Sequence, residues 1–485
     1  MFSDLKPYPE RAPHSSRDSD LIPCHWTERR LKSLARLNPS RSEVSHEIES
    51  GAEATFLPME AVSSSGHVDY SRRIEPLMTT AGFTYFRGRD VLVAKITPCF
   101  ENGKGACLED LPTKIGFGST EFHVLRAGKE VTPKFLEAVT RSRRFRQLGA
   151  DAMTGSAGQQ RVPTEFVGCY SVALPPRTEQ DLLVRFLAHA NARIDRAIAA
   201  KRKMIELLDE QKRVTVNRAI RRGVDVGAPS QESVAPGVGP IPAHWQVSRL
   251  KDLATIQTGL TLGKDYVESD LAEFPYLRVA NVQSWGLDLR DVKNVRLPAV
   301  DAARVRLRTG DVLMTEGGDI DKLGRATIWQ GEVHGCLHQN HVFAVRCGEW
   351  IEPEYLVTVL GSAVGRDYFQ LTAKQTTNLA STNSTTLRAF PLPLPPIEEQ
   401  RRILAKLREE DALWLATTQR LRREIELLRE FRTRLTADVV TGQLDVREAA
   451  AKLPDLDPAE LATADVDHSD DLDAVTEEFL DEGES

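Results

Sequence analysis

Polar loops punctuated by glycine are the first places in this 485-residue sequence where side chains could do chemistry. Lys95-Ile96-Thr97-Pro98-Cys99-Phe100-Glu101-Asn102-Gly103-Lys104-Gly105 sets two lysines, an asparagine and a glutamate around tight turns, and Gly118-Ser119-Thr120-Glu121 is a second such loop. Thr315-Glu316-Gly317-Gly318-Asp319-Ile320-Asp321-Lys322-Leu323-Gly324-Arg325 and His338-Gln339-Asn340-His341 have the same character farther along. Glycine lets backbone approach a phosphate or a base edge closely. Lysine and arginine contact phosphate or guanine, and asparagine and glutamine read adenine. Candidate DNA contacts are therefore Lys95, Thr97, Asn102, Lys104, Ser119, Thr120, Glu316, Lys322, Arg325, Gln339 and Asn340. Residue by residue, an ordinary hydrophilic turn is the simpler reading of the same types.

Other chemistries find less support. No G-x-x-x-x-G-K-[ST] occurs, which argues against an NTPase motor. No Asn or Asp precedes Pro-Pro and an aromatic, as an amino-methyltransferase would require. The one E-x-K tripeptide, Glu210-Gln211-Lys212, falls inside a long helical stretch and is a poor nuclease centre. His334, Cys336, His338 and His341 lack the spacing of a standard zinc site. Neither catalytic residues nor metal ligands are expected in this chain.

Composition sets the class. The chain is 41% hydrophobic and 27% charged, and no apolar run approaches the roughly 18 residues of a membrane helix. The first thirteen residues lack a secretory signal's pattern, and six cysteines without a C-x-x-C pair suit a reducing cytosol, so a cytoplasmic protein is expected. The net charge of −7 conceals an uneven distribution. Residues 453–485 hold thirteen Asp and Glu with no Lys or Arg, so setting them aside leaves +6 on the body. That tail is expected to be disordered or weakly helical, and a mildly basic body permits nucleic-acid binding.

The loops sit within a duplication. An offset near 220 residues carries Ile22-Pro23-Cys24-His25-Trp26 onto Ile241-Pro242-Ala243-His244-Trp245, and Asp90-Val91-Leu92 onto Asp311-Val312-Leu313. It carries Thr132-Pro133-Lys134-Phe135-Leu136 onto Glu352-Pro353-Glu354-Tyr355-Leu356, and Leu174-Pro175-Pro176-Arg177-Thr178-Glu179-Gln180 onto Leu394-Pro395-Pro396-Ile397-Glu398-Glu399-Gln400. Ile205-Glu206-Leu207-Leu208 returns as Ile425-Glu426-Leu427-Leu428. Such a period is too long for a solenoid unit, so each copy should be a domain with an attachment.

Each copy opens with an α/β or α+β domain. Strands are expected at 90–96, 121–126 and 166–174, then at 275–282, 311–315, 325–329 and 341–346; helices are expected at 133–148 and 352–369. Each copy closes with a stretch free of proline and glycine, 178–222 and 398–441. Apolar residues there follow a heptad frame: Leu183, Leu187, Ile194, Met204 and Leu208 in the first, Ile403, Leu407, Trp414, Leu421 and Leu428 in the second. Burial against a neighbouring domain would explain either stripe alone. Two helices of equal frame, each roughly 60 Å long, make an antiparallel coiled coil with one another the simpler pairing. The expected segments are thus 1–176, a first domain; 177–225, a long helix; 226–240, a linker; 241–395, a second domain; 396–446, a second long helix; and 447–485, the acidic tail.

This order of parts resembles the specificity subunits of type I restriction–modification systems from about Ile22 to Val446, most specifically in the paired I-P-x-H-W openings and L-P-P-x-x-E-Q boundaries. The resemblance implies two target-recognition domains in a pseudo-twofold tandem repeat, each reading half of a bipartite, asymmetric sequence in double-stranded DNA. The paired helices would set the spacer between half-sites. Two modification (methyltransferase) subunits would dock around the helices and restriction (motor-nuclease) subunits would join them, carrying S-adenosylmethionine, ATP and magnesium; this chain would be non-catalytic. A coiled-coil adaptor protein, or a restriction subunit with its own activity, is the alternative, and the adaptor leaves the two polar-loop domains unexplained.

Overall fold

The computed structural model describes residues 5–454, apart from 15–16, 76–81, 157, 226, 234, 236, 264–270, 284–285, 319–322 and 376–379. The acidic tail expected to be disordered lies almost wholly outside the described residues. The chain divides into two compact units, Met1–Lys203 with Leu421–Ser485, and Met204–Arg420. Among the described residues no helix is long and apolar enough to cross a membrane.

Both units contain a four-stranded antiparallel sheet of the same topology. In the first, β1 (Ala35–Leu37), β2 (Val91–Ala94), β3 (Gly105–Cys107) and β4 (Phe122–Ala127) lie in the order β1-β4-β2-β3. In the second, β5 (Ala254–Thr258), β6 (Val312–Thr315), β7 (Ala326–Ile328) and β8 (Val342–Cys347) lie in the order β5-β8-β6-β7. The central strands read as unbroken apolar runs because both of their faces are covered. Side chains alternate across a strand, so Val91 and Val93 join a core with Phe135, Leu136 and Val139, while Leu92 and Ala94 join another with Leu57, Phe86 and Val124. Val312 and Met314 likewise meet Tyr355 and Leu356, and Leu313 meets Leu277 and Ala344. A second, mixed sheet in each unit contains one parallel pair, Ala54–Leu57 with Ile115–Gly118 and Leu271–Leu277 with Leu337–His338.

One ion pair is built twice. Asp90 immediately precedes β2 and takes a two-pronged grip from Arg126 of β4, Nε at 2.8 Å and Nη2 at 2.7 Å. Arg346 of β8 holds Asp311 at the same two distances. Each aspartate is buried and also accepts a backbone N–H, from Arg87 at 2.9 Å and Arg308 at 2.8 Å. These hydrogen bonds let a carboxylate survive burial, and they explain why Asp-Val-Leu recurs in the sequence.

The helices expected at 133–148 and 352–369 are each broken in two. α1 (Pro133–Arg141) and α2 (Arg143–Asp151) part at Ser142, as α4 (Pro353–Gly361) and α5 (Ala363–Thr372) part at Ser362. Both serines are extended, and their hydroxyls accept from Phe145 N and Val364 N, so they cap the second helix. The strand expected at 166–174 is a helix, Thr164–Cys169, followed by the strand Ser171–Leu174. There Phe166 and Tyr170 pack on Phe145, tilted and edge-on, with ring centroids 5.6 and 4.9 Å away, a packing that an apolar run does not reveal. The strand expected at 275–282 ends early at Leu277, because Asn281 Oδ1 captures Arg278 N in a tight turn.

The long helices are α3 (Arg177–Arg222) and α6 (Ile397–Val440). They run antiparallel within each unit: Asp195 with Arg432 and Lys201 with Glu424 in the first, Lys212 with Asp411 at 3.1 Å in the second. Leu183, Leu187, Ile194, Ile403, Leu407 and Leu421 are buried, the first two against the same core as Phe135. Met204 is half-exposed and leaves the expected seam, Leu208, Trp414 and Leu428 are half-buried, and Ile198 and Ile425 are buried instead. A 3.6-residue helix drifts about 20° per heptad from a 3.5-residue frame, which carries the seam off the extrapolated positions. In the second unit the two helices flank a groove of about 370 Å³ lined by Leu208, Leu407 and Trp414.

The motifs at the domain boundaries are fasteners. Gln180, fully buried, accepts from Thr132 N at 2.8 Å and donates to the carbonyls of Glu130 and Pro175 at 2.9 and 3.0 Å. Gln400 makes the same three bonds to Glu352 N, Trp350 O and Pro395 O. Glu179 takes bonds from Tyr8, His25 and Trp26 at 2.6, 2.7 and 3.0 Å, and Glu399 binds His244 at 2.8 Å. Residues 226–240 are tied down in their described part: Ser230–Gln231 pairs with Ile241–Pro242, and Val238 is buried.

Candidate nucleic-acid interface

Antiparallel register decides which polar loops meet. Ala94 at the end of β2 faces Phe122 at the start of β4, and Thr315 at the end of β6 faces Val342 at the start of β8. The loop leaving one central strand therefore lies beside the loop entering its neighbour, and each copy gathers its two candidate loops at one end of the same sheet.

In the first unit Lys95 N donates to Glu121 O at 2.8 Å, and Ser119 N donates to Leu57 O at 3.0 Å. A third segment, near residues 153–162, closes the group. Thr97 N donates to Gln160 O at 3.0 Å, Val162 N to Lys95 O at 2.8 Å, and the Thr97 hydroxyl to Met153 Sδ at 3.2 Å. Lys95, Thr97, Lys104 and Ser119 are half-buried, whereas Asn102 and Thr120 are exposed. Arg161 spans the gap with two bonds to Glu121, at 2.9 and 3.0 Å, which raise its pKa above the usual guanidinium range.

In the second unit Glu316 Oε2 meets His341 Nδ1 at 2.6 Å, and its backbone N–H donates to His341 O at 2.8 Å. Gln339 Oε1 accepts from Val279 N at 3.3 Å, and Asn340 N donates to Leu260 O at 3.0 Å. Here too a third segment joins: Gly317–Gly318 pairs with Ala380–Ser381, and Thr382 N donates to Glu316 O at 2.8 Å. Glu316, Arg325, Gln339 and Asn340 are half-buried; Lys322 lies outside the described residues.

The side chains so gathered are donors and acceptors on glycine-bearing backbone, suited to phosphate oxygens and base edges. Sequence reading missed the third segments, with Arg161 in one and Lys374 in the other, because their relation to the loops is tertiary. It also missed the arginines of α2: Arg146 Nη1 donates to Glu101 O at 3.1 Å and braces the 95–105 loop from behind. His338 belongs to the core. It is fully buried, its Nδ1 donates to Val342 O at 2.7 Å, and burial lowers its pKa below the usual imidazole value. Among the described residues no group of three or more His, Cys, Asp or Glu is placed to hold a metal ion.

Residues 242–427 match the family model described as Type I restriction modification DNA specificity domain. The chain is 36% identical over 168 residues to the type I restriction enzyme EcoAI specificity subunit of Escherichia coli, covering 34% of this chain and 28% of that protein. It is 34% identical over 165 residues to the EcoEI specificity subunit of Escherichia coli, covering 34% of this chain and 27% of that protein. It thus spans just over a quarter of the length of these relatives. A solved structure described as showing complex assembly and conformational transition of the type I R-M system superposes with a TM-score of 0.63 at 21% identity, over 87% of this chain and 99% of that one. That likeness shows a shared fold.

Proposed function

We propose, on the premise that a chain carrying the type I restriction–modification DNA specificity domain belongs with the type I specificity subunits, that this protein selects the DNA sequence on which such a complex acts. One recognition domain reads each half of a bipartite, asymmetric target in double-stranded DNA. The chain directs adenine methylation or cleavage and performs neither; two modification (methyltransferase) subunits and the restriction (motor-nuclease) subunits hold S-adenosylmethionine, ATP and magnesium.

The observation that carries this reading is one scaffold built twice with different loops at the same place. Sheet order, Asp–Arg pair, serine break and glutamine fastener repeat. The loops at the sheet end do not: Lys95, Thr97, Asn102 and Lys104 stand in one, Glu316 and Arg325 in the other. Equal frames with unequal base-reading loops are what two dissimilar half-sites require, since groove contacts carry the sequence information. Methylation-sensitive sequencing of the host genome tests it. The expected result is a methylated motif in two unlike parts separated by a fixed gap, lost when this chain is deleted. A continuous palindrome, or no change on deletion, overturns it.

A further inference from the structure

The 95–105 loop of the first domain leans against the break between α1 and α2, and four arginines crowd that break: Arg141, Arg143, Arg144 and Arg146. Gly103, Lys104, Gly105, Arg141 and Arg146 line a shallow cleft there, whose lining includes three cations and no carboxylate. Its hollow, about 10 Å³, has room for a single oxygen atom. The nearest acids are shared. Glu137 lies 3.6 Å from Arg141 and 3.3 Å from Lys134, Asp195 is held by Arg432, and the Arg141 guanidinium is committed to the Ser64 and Ser65 carbonyls, which leaves Lys104, Arg143 and Arg146. Arg146 is held by the Glu101 carbonyl, and its buried Nε has no partner among the described residues. Burial, then the charges of Arg141 and Arg143, press its pKa below the usual guanidinium range.

The fold does not demand this crowding. The second copy makes the same break, with Ser362 as the cap, using Gly361, Ala363 and Val364 where the first has Arg141, Arg143 and Arg144; of the four cations it keeps only Arg366, opposite Arg146, and that one is held by the Gly361 carbonyl. Like charges clustered at a polar site, where an equivalent scaffold carries a single arginine, mark a place that awaits an anion. The cleft accepts one oxygen atom and adjoins Asn102 and Lys104, which suits the non-bridging oxygen of a duplex whose bases face the loop.

We infer that Lys104, Arg143 and Arg146 bind a phosphodiester of double-stranded DNA, so that the first recognition domain has a backbone grip the second lacks. This rests on the DNA-reading function proposed above. A backbone phosphate is the favoured occupant because the cations flank a candidate base-reading loop.

The test is fluorescence anisotropy of the full-length chain with a 30-base-pair duplex of arbitrary sequence, over 20–200 mM KCl. The logarithm of affinity falls with the logarithm of salt by about 0.9 per phosphate neutralised. Arg143→Gln with Arg146→Gln should reduce that slope by about 1 to 2, and the corresponding pair of Arg→Lys changes should restore it. Arg366→Gln, at the equivalent place in the second copy, should leave it unchanged. Arg143 is exposed, so Arg143→Gln alone, with an unchanged melting temperature, separates lost contact from lost folding and should still lower the slope by about 1. Absence of salt-dependent binding by the unsubstituted chain refutes the DNA reading itself. Intact binding with an unchanged slope in the glutamine variants overturns the phosphate assignment alone, as does an equal fall for Arg366→Gln.

Discussion

Replacing Gln180 by leucine should be among the most damaging single changes in the first unit, although the residue touches no candidate DNA contact. Its amide satisfies three backbone groups: Thr132 N–H and the Glu130 and Pro175 carbonyls. Leucine matches the shape and removes every bond. At a net of about 1 kcal/mol per hydrogen bond the loss is about 3 kcal/mol, and the buried Thr132 N–H left without an acceptor adds about 1–2 kcal/mol more. For a unit of this size, 4 kcal/mol corresponds to a fall of roughly 8–16 °C in melting temperature. The effect should be local first. Amide hydrogen exchange would speed up at the start of α1, around Phe135 and Leu136, while the start of α4, fastened by Gln400, stays protected. Gln180→Glu keeps the acceptor but turns a second oxygen on two carbonyls in a buried place, so it should not rescue. A Gln180→Leu protein melting within about 3 °C of the parent, with exchange unchanged at Phe135, would refute the view that the repeated L-P-P-x-x-E-Q boundary is a fastener.

Gly223→Ala should destabilise the second unit by more than about 1 kcal/mol, read by chemical denaturation, because Gly223 holds φ +67 and a Cβ would lie 2.8 Å from Glu399 Oε1. Gly442→Ala should do the same to the first, where a Cβ would come 2.4 Å from Pro23. Burial holds the pKa of His338 below its ordinary 6.5, so the unfolded chain takes up the proton first as pH falls. Its contribution is full above pH 6.5 and is lost as pH drops from there toward the folded value. Thermal melts should therefore decline on acidification from pH 7.5 to 5.5, and less steeply in His338→Phe; equal slopes would count against this account. With only +6 on the body, the isolated chain should bind duplex DNA weakly at physiological salt, and tight, sequence-selective binding in a filter or anisotropy assay would contradict that.

Much of this protein is legible in its sequence because the repeated residues are those with obligatory partners. Asp90 and Asp311, Gln180 and Gln400, Glu179 and Glu399 recur since a buried carboxylate or amide has few ways to be satisfied. The two long helices were equally plain, as 46 and 44 residues without proline or glycine leave little other choice. Local packing was not legible. Ser142 and Ser362 end one helix and cap the next only because the core turns the chain there, and 166–169 is helical because Phe166 must reach Phe145.

For the candidate interface the division is similar. Residue types pointed to Lys95–Gly105 and 338–341 as polar, glycine-bearing loops, but only strand register placed each beside its neighbour. Arg146 stands 45 positions from the Glu101 carbonyl it binds, and Arg161 stands 40 from Glu121. Periodicity and motif spacing report what is close along the chain. The amino-acid sequence alone thus determined the duplication, its repeated boundary motifs and the two long helices; tertiary packing decided what those motifs fasten and which charged side chains share a surface, because charge clusters form across distances in sequence that no local pattern spans.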